Sequence, residues 1–158
     1  MVLECNDNKM GKTKMNDVKV TKYSDIKMGQ SAEVTHTITE EDIQVFGKLS
    51  GDYNPVHFNQ EWAERTFFKG RIAHGVLTAA YISTAIGMHL PGPGTVYMSQ
   101  SMRFLGPVRI GDTITARVEV INLNDEKRRV TLKTTCTTQD GNVVLDGEAL
   151  VTLMKLEQ

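Results

Sequence analysis

The sequence predicts an α+β domain in which an antiparallel sheet wraps round one long central helix. Three observations carry this reading. Beyond about residue 95 the apolar residues recur at every second position, as half-buried strands require. From Ile72 to Met102 the chain has no Asp, Glu, Lys or Arg, and its helical part, Gly75 to Leu90, shows no polar face. A helix that is apolar all round is a buried one. Between residues 39 and 49 the apolar spacing is that of an amphipathic helix. Helices come first and strands follow in short consecutive steps, which favours antiparallel pairing.

Taken in order, residues 1–22 are polar and rich in Lys, Asn and Met, and are expected to form a flexible tail ahead of a single domain over 23–158. A short strand is expected around Glu33–Ile38. Thr39 then opens a helix: its hydroxyl can cap the N-terminus, and Glu40, Glu41 and Asp42 suit the positive end of the helix dipole. Ile43, Phe46 and Leu49 are its expected inward face. Ser50-Gly51-Asp52 ends it, and Asn54-Pro55 confirms the break, because a residue before proline avoids the helical region. A second helix is expected over Asn59–Phe68, with Trp62, Ala63 and Phe67 inward. After the central helix, an irregular strand covers Thr95–Phe104. Ile114, Ala116, Val118 and Val120 mark the next strand, and Val130, Leu132, Thr134 and Cys136 the one after. Val143, Leu145, Ala149, Val151 and Leu153 share one parity in the last, and Asp140-Gly141 signals the hairpin before it.

Composition narrows the function. At 158 residues, 40% hydrophobic and 23% charged, the chain has the profile of one globular domain able to bury a core without staples. Eighteen Lys+Arg against nineteen Asp+Glu leave a net charge of −1, so no nucleic-acid partner is expected. Cys5 and Cys136 are too few for a disulfide framework, which predicts a reducing, cytoplasmic setting. The first 25 residues hold no apolar run, so no secretory signal is expected. The uncharged stretch carries Thr78, Ser83, Thr84 and His89 and breaks at Pro91-Gly92-Pro93-Gly94. It is too short and too polar to suggest a membrane span. No His, Cys, Asp or Glu cluster has zinc-site spacing, so no metal is expected.

Two stretches hold the groups that could do chemistry. In Ser50-Gly51-Asp52-Tyr53-Asn54-Pro55-Val56-His57 an acid and an imidazole stand five residues apart on a proline-stiffened loop. Such a pair can orient and deprotonate a water. The same residues also fit a turn-capping aspartate and a packed core histidine. In Arg71-Ile72-Ala73-His74-Gly75-Val76 the buried helix begins, and its unpaired N–H groups could stabilise an oxyanion. Gly75 would admit a ligand close to the backbone. The plainer alternative is that Gly75 eases packing and His74 caps the helix.

Together these stretches resemble the MaoC-like, (R)-specific enoyl-CoA hydratases. The resemblance runs through Phe46–His57, with its Asp-x-Asn-Pro-x-His core, then Arg71–Gly75, Tyr97–Phe104, Pro107-Val108 and Gly111-Asp112. It covers Tyr23 to Met154, at the size of the members built from a single hot dog domain. It implies a hot dog fold and a reversible hydro-lyase acting on trans-2-enoyl-CoA to give an (R)-3-hydroxyacyl-CoA. Asp52 and His57 would be the catalytic pair, and Gly75 would donate its N–H to the thioester carbonyl. Asn54 and Ser83 would support the pair, and Ile86 and Leu150 would shape the acyl pocket. No cofactor beyond the acyl-CoA substrate is implied, and a homodimer or higher homo-oligomer is. Two alternatives stay open from the sequence: a thioesterase of the same fold, and a non-catalytic acyl-CoA-binding regulatory domain.

Overall fold

The computed structural model describes residues 3, 4 and 18–155. Six strands form one sheet: β1 (Leu3–Glu4), β2 (Ser31–Thr37), β3 (Thr95–Phe104), β4 (Thr113–Asn124), β5 (Arg129–Thr138) and β6 (Val143–Leu153). Their spatial order is β1-β2-β4-β5-β6-β3. Every pairing from β2 to β3 is antiparallel, as expected. The two-residue β1 runs parallel to β2, which the sequence did not signal. Most of the expected tail, including Cys5, lies outside the described residues. Its last described part is tied to the domain, for Thr21 Oγ1 donates to the Pro91 carbonyl at 2.5 Å.

Four α-helices accompany the sheet: α1 (Glu40–Ser50), α2 (Pro55–Phe58), α3 (Gln60–Glu64) and α4 (Gly75–Thr84), the last continued by a π-helical turn over Ala85–His89. α4 packs against β2, β4 and β5. The core lies between its Leu77, Ile82, Ala85 and Ile86 and the inner face of the sheet, where Ile114, Val118, Leu132, Leu145 and Val151 are fully buried. Each large aliphatic side chain so buried contributes about 1.5–3 kcal/mol.

The first helix begins as its sequence requires. Thr39 accepts from the Asp42 N–H, and the Asp42 carboxylate accepts from the Thr39 N–H, a reciprocal capping box. Gly51 closes the helix with φ +78°, a conformation glycine adopts without steric cost. The inward face is Ile43, Phe46 and Gly47, while Leu49 is 83% exposed. Leu49 lies six positions after Ile43, and six steps of 100° carry it about 120° off the buried face.

The expected helix over Asn59–Phe68 is shorter, α3 alone, and it follows directly on α2. Asn59, in an extended conformation, ends α2 and caps α3 by accepting from the Trp62 N–H. Because α3 stops at Glu64, only Ala63 of the three expected inward residues is buried. Trp62 and Phe67 are 46% and 84% exposed.

In β6 the parity slips once. Thr137 pairs with Val143 and Cys136 with Leu145, so Val144 is an extra residue. That bulge turns Val144 inward and leaves Val143 outside.

The central helix is also not enclosed on every side within one chain. Val76, Ala80, Ser83 and Met88 form an exposed stripe at helical spacing. The adjoining β3 exposes Val96, Tyr97, Met98, Met102 and Phe104. β3 is the free edge of the sheet, bonded on one side only, to β6. The expectation of a wholly buried helix is therefore met only on the sheet side. No helix among the described residues is long and apolar enough to cross a membrane.

Candidate active site

The loop after α1 is held by its own side chains. Ser50 Oγ accepts from the Asp52 N–H, and Asp52 Oδ1 accepts from the Asn54 N–H. Asn54 in turn caps α2, its Oδ1 accepting from the Val56 N–H at 3.2 Å, and Pro55 occupies the first helical position, where no N–H is needed. The Asn-Pro pair thus builds the single turn that presents His57.

His57 is 8% exposed. Its Nδ1 lies 2.9 Å from the Ile72 carbonyl, so Nδ1 carries the hydrogen and Nε2 is left as the free base. Its own carbonyl accepts from Arg71 Nε at 2.6 Å, and Arg71 pairs with Glu40 at 2.9 Å. Two strands of loop, 56–57 and 71–72, are thereby laced together and anchored to α1. Burial pushes the His57 imidazole below its ordinary value, and the neighbouring His74 ring acts in the same direction; the Ile72 hydrogen bond opposes them.

Asp52 is exposed, but its carboxylate lies within 4.8 Å of ring nitrogens of both His57 and His74. The fold therefore brings together the expected acid and base and adds a third group. The two imidazoles lie ring against ring, centroids 3.8 Å apart and 31° from parallel. With Asp52 they form a cluster in which one ligand atom from each residue lies within 4.8 Å of the others, a grouping that could hold a metal ion although the sequence spacing suggested none. With His57 Nδ1 and His74 Nε2 both given to carbonyls, the arrangement suits proton transfer.

His74 is 2% exposed and precedes α4. It makes no side-chain cap, contrary to the plain sequence reading; its Nε2 instead donates to the Asp52 carbonyl at 3.0 Å. The N–H groups of Gly75 and the next two residues have no earlier carbonyl in the helix to bond. Gly75 and Val76 line a cavity of about 480 Å³ whose wall also includes His57, Thr78, Phe67, Phe104 and Val144. The lining is mostly apolar. Phe104 lies over Gly75, where an added Cβ would come within 2.8 Å of its ring.

The other expected site residues stand elsewhere. Ser83 is exposed on α4, eight residues and about 12 Å along the axis from Gly75. Ile86 is in the core, 1% exposed. Leu150 is half-buried on β6, between the inward residues Ala149 and Val151, so it takes the other face of the sheet. Missing from the sequence reading were Phe104 as the cover of Gly75 and the partners of His74. The first follows from a β3–α4 packing that no spacing encodes.

Comparison with known proteins gives a consistent result. The MaoC like domain model matches residues 6–142. An "(R)-specific enoyl-CoA hydratase" of Rhodospirillum rubrum is 54% identical over 129 residues, 82% of this chain and 89% of that one. A "3-hydroxybutyryl-CoA dehydratase" of Methylorubrum extorquens is 44% identical over 142 residues, 90% of each chain. Among solved structures, the unliganded R-hydratase PhaJ1 of Pseudomonas aeruginosa superposes with a TM-score of 0.79 at 42% identity, covering 88% of this chain and 92% of that one. The fold is accordingly the hot dog fold.

Proposed function

Because the chain belongs to the MaoC-like domain family, we propose that Asp52 and His57 add water reversibly across the 2,3 double bond of a trans-2-enoyl-CoA, giving an (R)-3-hydroxyacyl-CoA. The chain is a hydro-lyase of the enoyl-CoA hydratase type. One observation supports the assignment of roles: His57 and Gly75, the first residue of α4, line the same apolar cavity, with the Asp52 carboxylate within 4.8 Å of a His57 ring nitrogen.

In this reading the thioester carbonyl accepts from the Gly75 N–H. His57 Nε2 takes a proton from a water held against Asp52. The hydroxide adds to C3, the π electrons move towards the carbonyl oxygen, and the helix N-terminus steadies the enolate. The proton then passes from the pair to C2, so that one water is consumed whole. The apolar walls keep bulk water from the enolate, with Phe104 and Val144 forming the near wall. Ser83, Ile86 and Leu150 remain the acyl-pocket and supporting residues that the family resemblance implies, but none of them is among the residues lining this cavity.

We further propose a homodimer, formed at the β3 edge. Unpaired strand edges invite pairing. The exposed Val96, Tyr97, Met98 and Met102, beside the open stripe of α4, offer an apolar surface next to it. Light scattering should give twice the chain mass, and a stable active monomer would remove this part. A cytoplasmic location is supported by the free, buried thiol of Cys136.

The deciding experiment is crotonyl-CoA hydration, followed by loss of the enoyl absorbance, on wild type, D52N and H57Q. Each substitution should lower kcat by about 10²–10⁴ while circular dichroism stays unchanged. Near-normal turnover in either variant would refute its role. Release of free thiol without loss of the enoyl band would indicate thioester hydrolysis instead.

A further inference from the structure

We infer that His74 is the positioning residue of this site, fixing the acid, the base and the oxyanion donor relative to one another. The inference rests on the hydratase reading and goes beyond it, because nothing in that reaction requires a second imidazole. Three of its contacts reach the three working parts. Its Nε2 donates to the Asp52 carbonyl at 3.0 Å and so holds the backbone of the acid. Its ring lies against His57 at 3.8 Å and so limits how far the base can tilt. Its backbone is the N-cap of α4, with φ −61° and ψ 130°, and so sets where the Gly75 N–H points.

The ring itself is held in one orientation. Phe46 and Phe58 flank it at 4.7 and 5.8 Å. Its Nδ1 is buried with no hydrogen-bond partner. An orphaned ring nitrogen costs free energy, so a histidine kept here is kept for its other nitrogen. A hydrogen on Nδ1 would find no acceptor, which leaves the Nε2–H tautomer that the Asp52 carbonyl needs. The residue touches neither water nor thioester in the proposed reaction; it acts through Asp52, His57 and Gly75.

Three variants separate this role from a purely structural one. H74F keeps a ring between Phe46 and Phe58 but has no donor. H74N keeps a polar side chain but places its amide too short for the Asp52 carbonyl. H74Q places an amide N–H where Nε2 stands. Displacing a reacting group by about 1 Å costs on the order of 10²-fold. H74F and H74N should therefore lose about 10–100-fold in kcat on crotonyl-CoA with KM changed less than about threefold, and H74Q should recover most of the loss. Wild-type kcat in either H74F or H74N overturns the inference. So does an H74Q that falls as far as they do, or a loss confined to KM. Should H74F fail to fold, the comparison of H74N with H74Q decides it alone. Inactive wild type would instead sink the hydratase reading.

Discussion

Replacing Gly75 by alanine tests whether the start of α4 serves the chemistry or only the packing. The added Cβ would lie 2.8, 2.9 and 3.2 Å from Cε1, Cδ1 and Cζ of Phe104 and would meet nothing else nearer. Gly75 is not at positive φ, so alanine suits its backbone. That change by itself gains about 0.4–1 kcal/mol. Overpacking costs about 1–3 kcal/mol in a closed core. Phe104 is 53% exposed, so its ring can swing and the cost falls at the low end of that range. The net stability change should be within about 1–2 kcal/mol, too small to unfold the protein. The effect on turnover should be much larger. The methyl enters the cavity wall at the N–H that the thioester must approach, and losing one such donor costs about 10²–10³ in kcat. The informative control is F104A, alone and combined with G75A. If close approach to the backbone is what matters, the double variant stays impaired relative to F104A. If it hydrates crotonyl-CoA as fast as F104A alone, Gly75 is only a packing residue and the oxyanion assignment is wrong.

Three further expectations follow from the buried groups. Burial holds His57 below its ordinary value near 6.5, so its free base persists to lower pH. The acid limb of kcat/KM, which reports the free enzyme, should have its midpoint below about 6.5, and a midpoint above that would contradict the environment described. The linked stability has the same sign: the unfolded chain binds the proton first, so the His57 contribution is present above the unfolded value and is lost as pH falls through the folded one. Urea midpoints measured between pH 7 and 5 should decline less in H57Q than in wild type. Burial also pushes the Cys136 thiol up to about 12, so peptide mapping after iodoacetamide treatment of the native protein at pH 8 should find Cys136 unmodified. Ready alkylation there would mean that the strand face opens.

How much was legible beforehand depended on whether the signal was local. Thr39 with its acids, the alternation in β4 and β5, and Asp140-Gly141 all act within a few residues, and each specified its element. Leu49 misled because its spacing from Phe46 is helical although its phase from Ile43 is not. Phe67 misled because α3 stops at Glu64, three residues short of it, which a count of apolar positions does not register. Val144 entered the core through a bulge, a one-residue insertion that parity cannot foresee. In the site, Asp52 and His57 were legible because five residues join them. His74 was named with its neighbours but its contacts were not legible: they reach back 17 and 22 positions, and they depend on how α4 docks against the loop.

The cavity draws its two kinds of surface from different parts of the chain. The proposed reacting groups come from the segment 52–57 and the tip of α4, laced together by Arg71, Ile72 and His74. The walls Phe104 and Val144 come from β3 and from the bulged start of β6. Substitutions in those strands can therefore lengthen, shorten or bend the space for a substrate's tail without disturbing the atoms that handle the proton. Such a division lets descendants of one ancestor diversify in what they accept while inheriting unaltered the way they transform it.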